Sequence, residues 1–268
     1  MSVDNSKTIY SPGFQRALSW RAVRLWQRNF DIFIRLWRFE IPSYVLEPLL
    51  VLGIMGVGLG TYFGISLGQN YIEFIVPGIV ASYAMYAATY ESTYGVYSRL
   101  EWQRIYEAIL ATPVSAEEII AGEILWAGTR AAMAGGAILT VSAVLGLVPS
   151  LWAVFLIPLT LIEGILFGAA GMIFTSFVPS FYTFNFYYTL FITPMFYFSG
   201  VFFPLSSFPA LVQQLAWLAP LTPVVYIGRG LATGRFETGL IWACLYVIGL
   251  VLLFVAFAIT RMRKRIVV

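Results

Sequence analysis

The chain has 268 residues, 60% of them hydrophobic and only 11% charged, with a formal net charge of +3. An ordinary soluble domain is about half apolar and about a quarter charged, so this composition excludes a soluble fold and requires a bilayer. The chain holds no His, one Cys (Cys244) and two Lys (Lys7 and Lys264); this excludes an internal disulfide, a Cys/His metal site, a Cys–His nucleophile and a phosphate-binding loop that needs a Lys after a Gly-rich turn.

The first 40 residues carry seven Lys and Arg and no apolar run like a secretory signal core. A helix is expected over 12–40. At 100° per residue, Arg21, Arg24, Arg28, Arg35 and Arg38 fall within an arc of about 100°. Val23, Trp26, Phe30, Phe33, Ile34 and Trp37 gather opposite them. A basic face against an aromatic-aliphatic face predicts a helix lying in the membrane interface. The alternative is a helix laid on the chain's own cytoplasmic surface.

A bilayer core takes about 20 mainly apolar residues per helix. Six stretches qualify: 41–63, 74–97, 124–148, 152–177, 184–204 and 238–260. Lys and Arg mark the cytoplasmic side, and 13 of the 16 lie in residues 1–40, after the second stretch, or at the C-terminus. Six spans with both ends inside satisfy this pattern. The positive balance therefore addresses a membrane surface and not nucleic acid. The expected organisation is one all-α membrane domain over 1–268: interfacial helix 12–40, bundle 41–260 and basic tail 261–268.

Two connections have content of their own. Segment 99–123 reads RLEWQRIYEAILATPVSAEEIIAGE. A helix over 99–112 puts Glu101, Arg104 and Glu107 on one face and stops at Thr112-Pro113. Ser115 followed by Glu118 forms a capping box for the next helix. This is either a solvated loop or a docking helix for a cytoplasmic partner. Segment 205–237 predicts two short helices, near Pro209 and Pro223, with Leu211, Leu215 and Leu218 on one side of the first. They are too short to span and belong in the outer leaflet.

Charges inside a bilayer are costly and face the bundle interior. Five stand out: Glu40, Glu47, Glu91, Arg130 and Glu163. Glu91 and Arg130 are expected to pair between the second and third spans. Glu163, mid-way along the fourth, reads as a protonated, hydrogen-bonded group or as part of a transport route. Tyr83, Tyr86, Tyr90, Tyr94 and Tyr97 project within an arc of about 80°. That stripe fits equally a wall guiding a sugar chain or amphipathic lipid and tight packing against a neighbouring helix. Segment 181–203 holds twelve aromatics, of which Phe191 and Tyr197 are further pathway candidates. Gly56/Gly60 and Gly164/Gly168 form GxxxG pairs that permit close helix approach. No catalytic constellation is present.

Several pieces in fixed order carry a resemblance. They are Glu47-Pro48, FIVPGIVASYAM (74–85), Glu91 with Arg99, YEAILATPVS (106–115), ITPMFYFSGVFFP (192–204) and LAPLTPVVYIGRG (218–230). Together they resemble the permease subunit of type-2 ABC exporters over nearly the whole chain. YESTYGVYSRLEWQRIYEAIL (90–110) and GEILWAGTRAA (122–132) are most similar to the branch exporting nodulation factors, which are lipo-chitooligosaccharides. The resemblance implies two permease copies in a bacterial inner membrane, bound from below by two separate ATPase subunits that hold the ATP and Mg. It implies no cofactor in this chain. It makes 99–112 the coupling helix, with Glu101, Arg104, Glu107, Thr112 and Pro113 as its surface. The pathway is implied between two copies, near spans one, two and five. The expected activity is export of an amphipathic, glycan-bearing lipid. Drug or lipid efflux is the alternative, with a glycan- or lipid-processing enzyme and a passive channel behind it.

Overall fold

The computed structural model describes residues 19–54, 58 and 71–267, and among them the regular structure is entirely helical. Residues 12–18, Gly56, Gly60 and most of the second half of the expected first span lie outside the described residues.

Helix α1 runs from Trp20 to Gly53, opened by Ser19, whose side chain accepts a hydrogen bond from the Arg21 amide. It passes through Pro42 and Pro48 without a break. The expected division at 40/41 between an interfacial helix and a first span is therefore corrected: both belong to one helix. Pro removes a donor but is tolerated where neighbours satisfy the freed carbonyl.

Helix α2, Tyr71–Tyr90, continues through two wider π-helical turns, Glu91–Gly95 and Ser98–Trp102. The Ser92 and Thr93 hydroxyls donate to the Thr89 carbonyl at 3.2 and 2.6 Å, the kind of back-bonding that competes with the regular ladder. The helix ends where Arg104 takes a left-handed conformation at φ 50°. This overturns the expected continuous helix over 99–112. Only α3, Ile105–Leu110, lies in that connection as a separate α-helix, and Glu101 belongs to the end of the preceding span. A turn at 111–114 leads to the expected capping box: Glu118 accepts from the Ser115 amide at 2.7 Å, and Ser115 accepts from the Glu118 amide at 3.3 Å.

The box opens α4, Ala116–Val144, which packs along α5, Leu156–Thr175. Their seam is made of small residues. A Cβ on Gly164 would lie 2.7 Å from the Gly128 Cα, and one on Gly168 would lie 2.8 Å from the Ala127 Cβ. The aromatic segment follows as α6 (Phe184–Tyr187), a π-helical turn (Tyr188–Ile192) and α7 (Thr193–Phe198). The expected span over 184–204 thus stops at Phe198, and the chain turns at Gly200, φ 79°. At 1.5 Å per residue, 184–198 reaches only about 22 Å, short of a hydrocarbon core of about 30 Å.

Helices α8 (Ala210–Leu218) and α9 (Leu221–Thr233) meet at 92°. Leu211, Leu215 and Leu218 are exposed along α8. Helix α10, Gly239–Ile266, carries the basic residues expected in a separate tail at 261–268. They continue the helix and dock: Arg263 pairs with Glu117 at 3.0 Å and Arg265 with Glu101 at 2.8 Å. Among the described residues, four helices are long and apolar enough to cross a membrane: 71–102, 116–144, 151–175 and 239–266. The bent α8–α9 pair makes a fifth if it is one span.

Candidate functional site

Helices α1 and α2 and the aromatic segment enclose a cavity of about 830 Å³. Its α2 wall is the tyrosine stripe: Tyr83, Tyr86 and Tyr90 line it, faced by Phe196, Tyr197 and Phe202. Tyr86 packs edge-on against Phe196 at 5.5 Å and stacks with Tyr188 at 6.5 Å. Glu40, Glu47 and Arg130 supply the charged lining. A second cavity of about 350 Å³ shares Glu40, Tyr90 and Arg130 and adds Tyr94, Arg28 and Arg99. The stripe divides accordingly. Tyr97 is buried against Trp102, Phe181 and Phe184 and lines neither cavity. Phe191 is exposed, packs on Tyr187, and is likewise absent from both walls.

Behind the cavities lies an ionic chain. Arg130 pairs with Glu40 and, at 3.4 Å, with Glu91. Arg99 joins Glu91 at 2.7 Å to Glu123 at 2.8 Å. Tyr106 donates its hydroxyl to Glu123 at 2.8 Å, and the Asn29 amide donates to the other oxygen at 3.1 Å. Three carboxylates thus alternate with two guanidiniums, and Tyr106 and Asn29 add neutral donors at Glu123. Burial holds the Tyr106 hydroxyl well above its ordinary pKa, and the Glu123 carboxylate pushes the same way. The pair therefore works as a neutral donor on a charged acceptor, the stronger kind of hydrogen bond.

The expected Glu91–Arg130 pair is present, within a larger network. Glu123, Tyr106 and Asn29 were not singled out by sequence. Glu123 had a signal: it stands seven residues before Arg130, two turns down the same face of α4.

Tyr106 also anchors α3. It is 1% exposed, while Arg104 and Glu107 point outward, 3.9 Å apart with side chains 73% and 71% exposed. Thr112 and Pro113 are exposed beside them, and Arg21 of α1 donates to the Pro113 carbonyl at 2.5 Å. These residues form an exposed knob tied to both α1 and the ionic chain. Glu101 is not part of it. Along α1, Arg24 and Arg35 are exposed. Trp26 donates to the Thr129 hydroxyl at 2.7 Å, and Phe30 and Phe33 pack edge-on against Trp126. Half of the expected lipid-facing surface is thus used on α4, whereas Ile34, Trp37 and Phe39 remain exposed.

Glu163 sits apart from both cavities. It is fully buried, and neither carboxyl oxygen has a hydrogen-bond partner among the described residues. On the opposite side, Arg229 of α9 donates to the carbonyls of Gly200 and Val201 and covers the Phe74 ring at 3.8 Å. Tyr71 donates to the Phe202 carbonyl at 3.1 Å. Together they fasten the turn after α7 to the start of α2. No group of three or more acidic, His or Cys side chains suited to a metal occurs among the described residues.

Residues 22–233 match the family profile described as ABC-2 type transporter. Among curated proteins, the chain is 36% identical to nodulation protein J of Rhizobium leguminosarum bv. trifolii, over 82% of this chain and 83% of the relative. It is 34% identical to nodulation protein J of Rhizobium meliloti, over 92% and 95%. It is 30% identical to the inner membrane transport permease YadH of Escherichia coli, over 81% and 84%.

Proposed function

Because the chain belongs to the ABC-2 type transporter family, we infer that it is the permease subunit of an ATP-driven exporter of an amphipathic, glycan-bearing lipid. The cavity walled by Tyr83, Tyr86, Tyr90 and Tyr197 carries this reading. Ring faces suit the apolar faces of sugars, and phenol hydroxyls suit their hydroxyl groups. The name nodulation protein J on the similar relatives favours lipo-oligosaccharides over other amphiphiles.

The chain has no Lys placed for a phosphate-binding loop, so ATP and Mg belong to a separate ATPase, in two copies. Two permease copies, each with six spans and both ends inside, enclose the pathway. Residues 41–63 supply a span beyond the four long apolar helices, the short aromatic helical run 184–198 with the turn through Gly200 enters the bilayer as the remaining membrane segment, and α8 and α9 lie in the outer leaflet. The inner membrane is the location. Arg104, Glu107, Thr112 and Pro113 form the face offered to the ATPase. A displacement of α3 then reaches the cavity through Tyr106, Glu123, Arg99, Glu91, Arg130 and Glu40. Each link is a short polar contact in a poorly screened setting, so movement at one end is felt at the other.

Drug efflux is the second reading, because Val51, Phe196 and Phe202 give the same cavity an apolar side. The test is co-expression with the products of its neighbouring genes, purification of any complex with an ATPase subunit, and ATP hydrolysis with added amphiphiles. Stimulation by lipo-oligosaccharides supports the first reading, and stimulation by hydrophobic drugs alone supports the second. If no ATPase subunit binds, both fall.

A further inference from the structure

The charges around the larger cavity are unevenly matched. Its charged lining is Glu40, Glu47 and Arg130. Arg130 is already engaged by two carboxylates, Glu40 and Glu91. Glu47 has no ion pair among the described residues, and the side chain beside it is Tyr83. Arg28 borders only the smaller cavity, where it donates to Asn29 at 3.1 Å. The remaining polar lining is tyrosine hydroxyl, which both donates and accepts.

An anionic headgroup entering this space meets a carboxylate with no ion pair among the described residues and has to compete for a guanidinium that two carboxylates hold. Glu47 is exposed on the cavity wall, so like-charge repulsion acts through a partly aqueous space and is felt at close approach. A hydroxyl-rich or amine-bearing headgroup finds acceptors at Glu47 and partners at the tyrosines. We propose that the larger cavity selects glycolipids whose sugar is joined to the lipid without a phosphate, and rejects those joined through a phosphate or pyrophosphate. This deepens the exporter reading above and rests on it. Glu47 is the discriminating residue.

The test uses the permease–ATPase complex in vesicles and two synthetic glycolipids with one sugar chain and one alkyl tail. One is a plain glycoside and the other is linked through a phosphodiester. Export of the plain glycoside is expected to exceed that of the phosphodiester by about tenfold, the size of a like-charge interaction across such a cavity. Glu47→Gln should shrink the ratio, and Glu47→Lys should bring it to about one or reverse it. Both variants are to be compared at matched thermal stability. Equal export of the two lipids by the unmodified protein overturns the proposal and leaves the exporter reading standing. A ratio unchanged in both Glu47 variants also overturns it. Export of neither lipid removes the exporter reading, and this proposal with it.

Discussion

Helix α4 has two different sides. Against α5 it meets Gly164 and Gly168 with Gly128 and Ala127, and the helices touch almost backbone to backbone. Against α1 and α2 it offers Glu123, Trp126 and Arg130, and the approach is polar and aromatic with cavities left between. The first seam has no side-chain volume to yield and only one close-packed arrangement. The second is held by ionic contacts that can exchange partners while remaining satisfied. A transporter needs both: a fixed wall, and a wall whose links can be redistributed.

The sharpest way to break this contrast is to cut the ionic chain at its centre. Arg99→Met takes the shared guanidinium from the Glu91 and Glu123 carboxylates, both mostly buried, leaving Glu91 with Arg130 at 3.4 Å and Glu123 with neutral donors. Removing one partner of a buried pair costs about 3–5 kcal/mol, so a large fall in the thermal transition of the detergent-solubilised protein is expected. A shift equivalent to less than about 1 kcal/mol, typical of a surface pair, would mean that water already reaches the chain. The fixed seam comes next. Gly164→Ala should cost about 1–3 kcal/mol through overpacking. Gly136→Ala, on α4 with nothing within 4 Å of a new Cβ, should be neutral or stabilising by up to about 1 kcal/mol. Equal effects from the two substitutions would remove the distinction between the seam and the rest of α4.

The fixed wall was more legible in the sequence than the yielding one. The Gly164/Gly168 spacing pointed to a close approach, and the Ser115–Glu118 cap is set by four adjacent residues. The Glu91–Arg130 pair followed from similar depths in neighbouring spans. Glu123 and Tyr106 were missed because their partnership needs α3 folded back on α4, and that depends on the left-handed backbone at Arg104. Arginine gives no local signal for φ 50°, so a three-residue charge spacing across it read as one helix face. The single helix across residue 40 was obscured in the same way: composition changes there, from basic to apolar, while the backbone continues.

The tyrosine stripe is where packing and pathway compete, and a paired substitution separates them. Tyr86→Ala with Tyr90→Ala removes the Tyr86 contacts to Phe196 and Tyr188 and the half-exposed Tyr90 ring. Aromatic pairs contribute about 0.5–1.5 kcal/mol each, so a modest loss of stability is expected whichever role holds. Export of the glycolipid should fall well beyond what the reduced amount of folded protein explains. Export per folded molecule equal to the unmodified protein would return the stripe to packing alone.

The smallest effect on stability is expected on the knob, and there it is the most informative. Glu107 is largely exposed, and its only ion pair among the described residues, with Arg104 at 3.9 Å, lies in water. Such pairs are worth about 0–1 kcal/mol, so Glu107→Lys should leave the thermal transition within about 0.5 kcal/mol of the unmodified protein. Tyr106, one residue before it, keeps its buried bond to Glu123, so α3 stays anchored. Any change in ATP turnover or export then arises at the exposed surface proposed to meet the ATPase and not from a loosened fold. Lost export with ATP hydrolysis continuing is the expected outcome, measured in the same vesicles. Unaltered export would show that the ATPase is gripped elsewhere, and the exposed Thr112-Pro113 turn beside α1 would be the next surface to change.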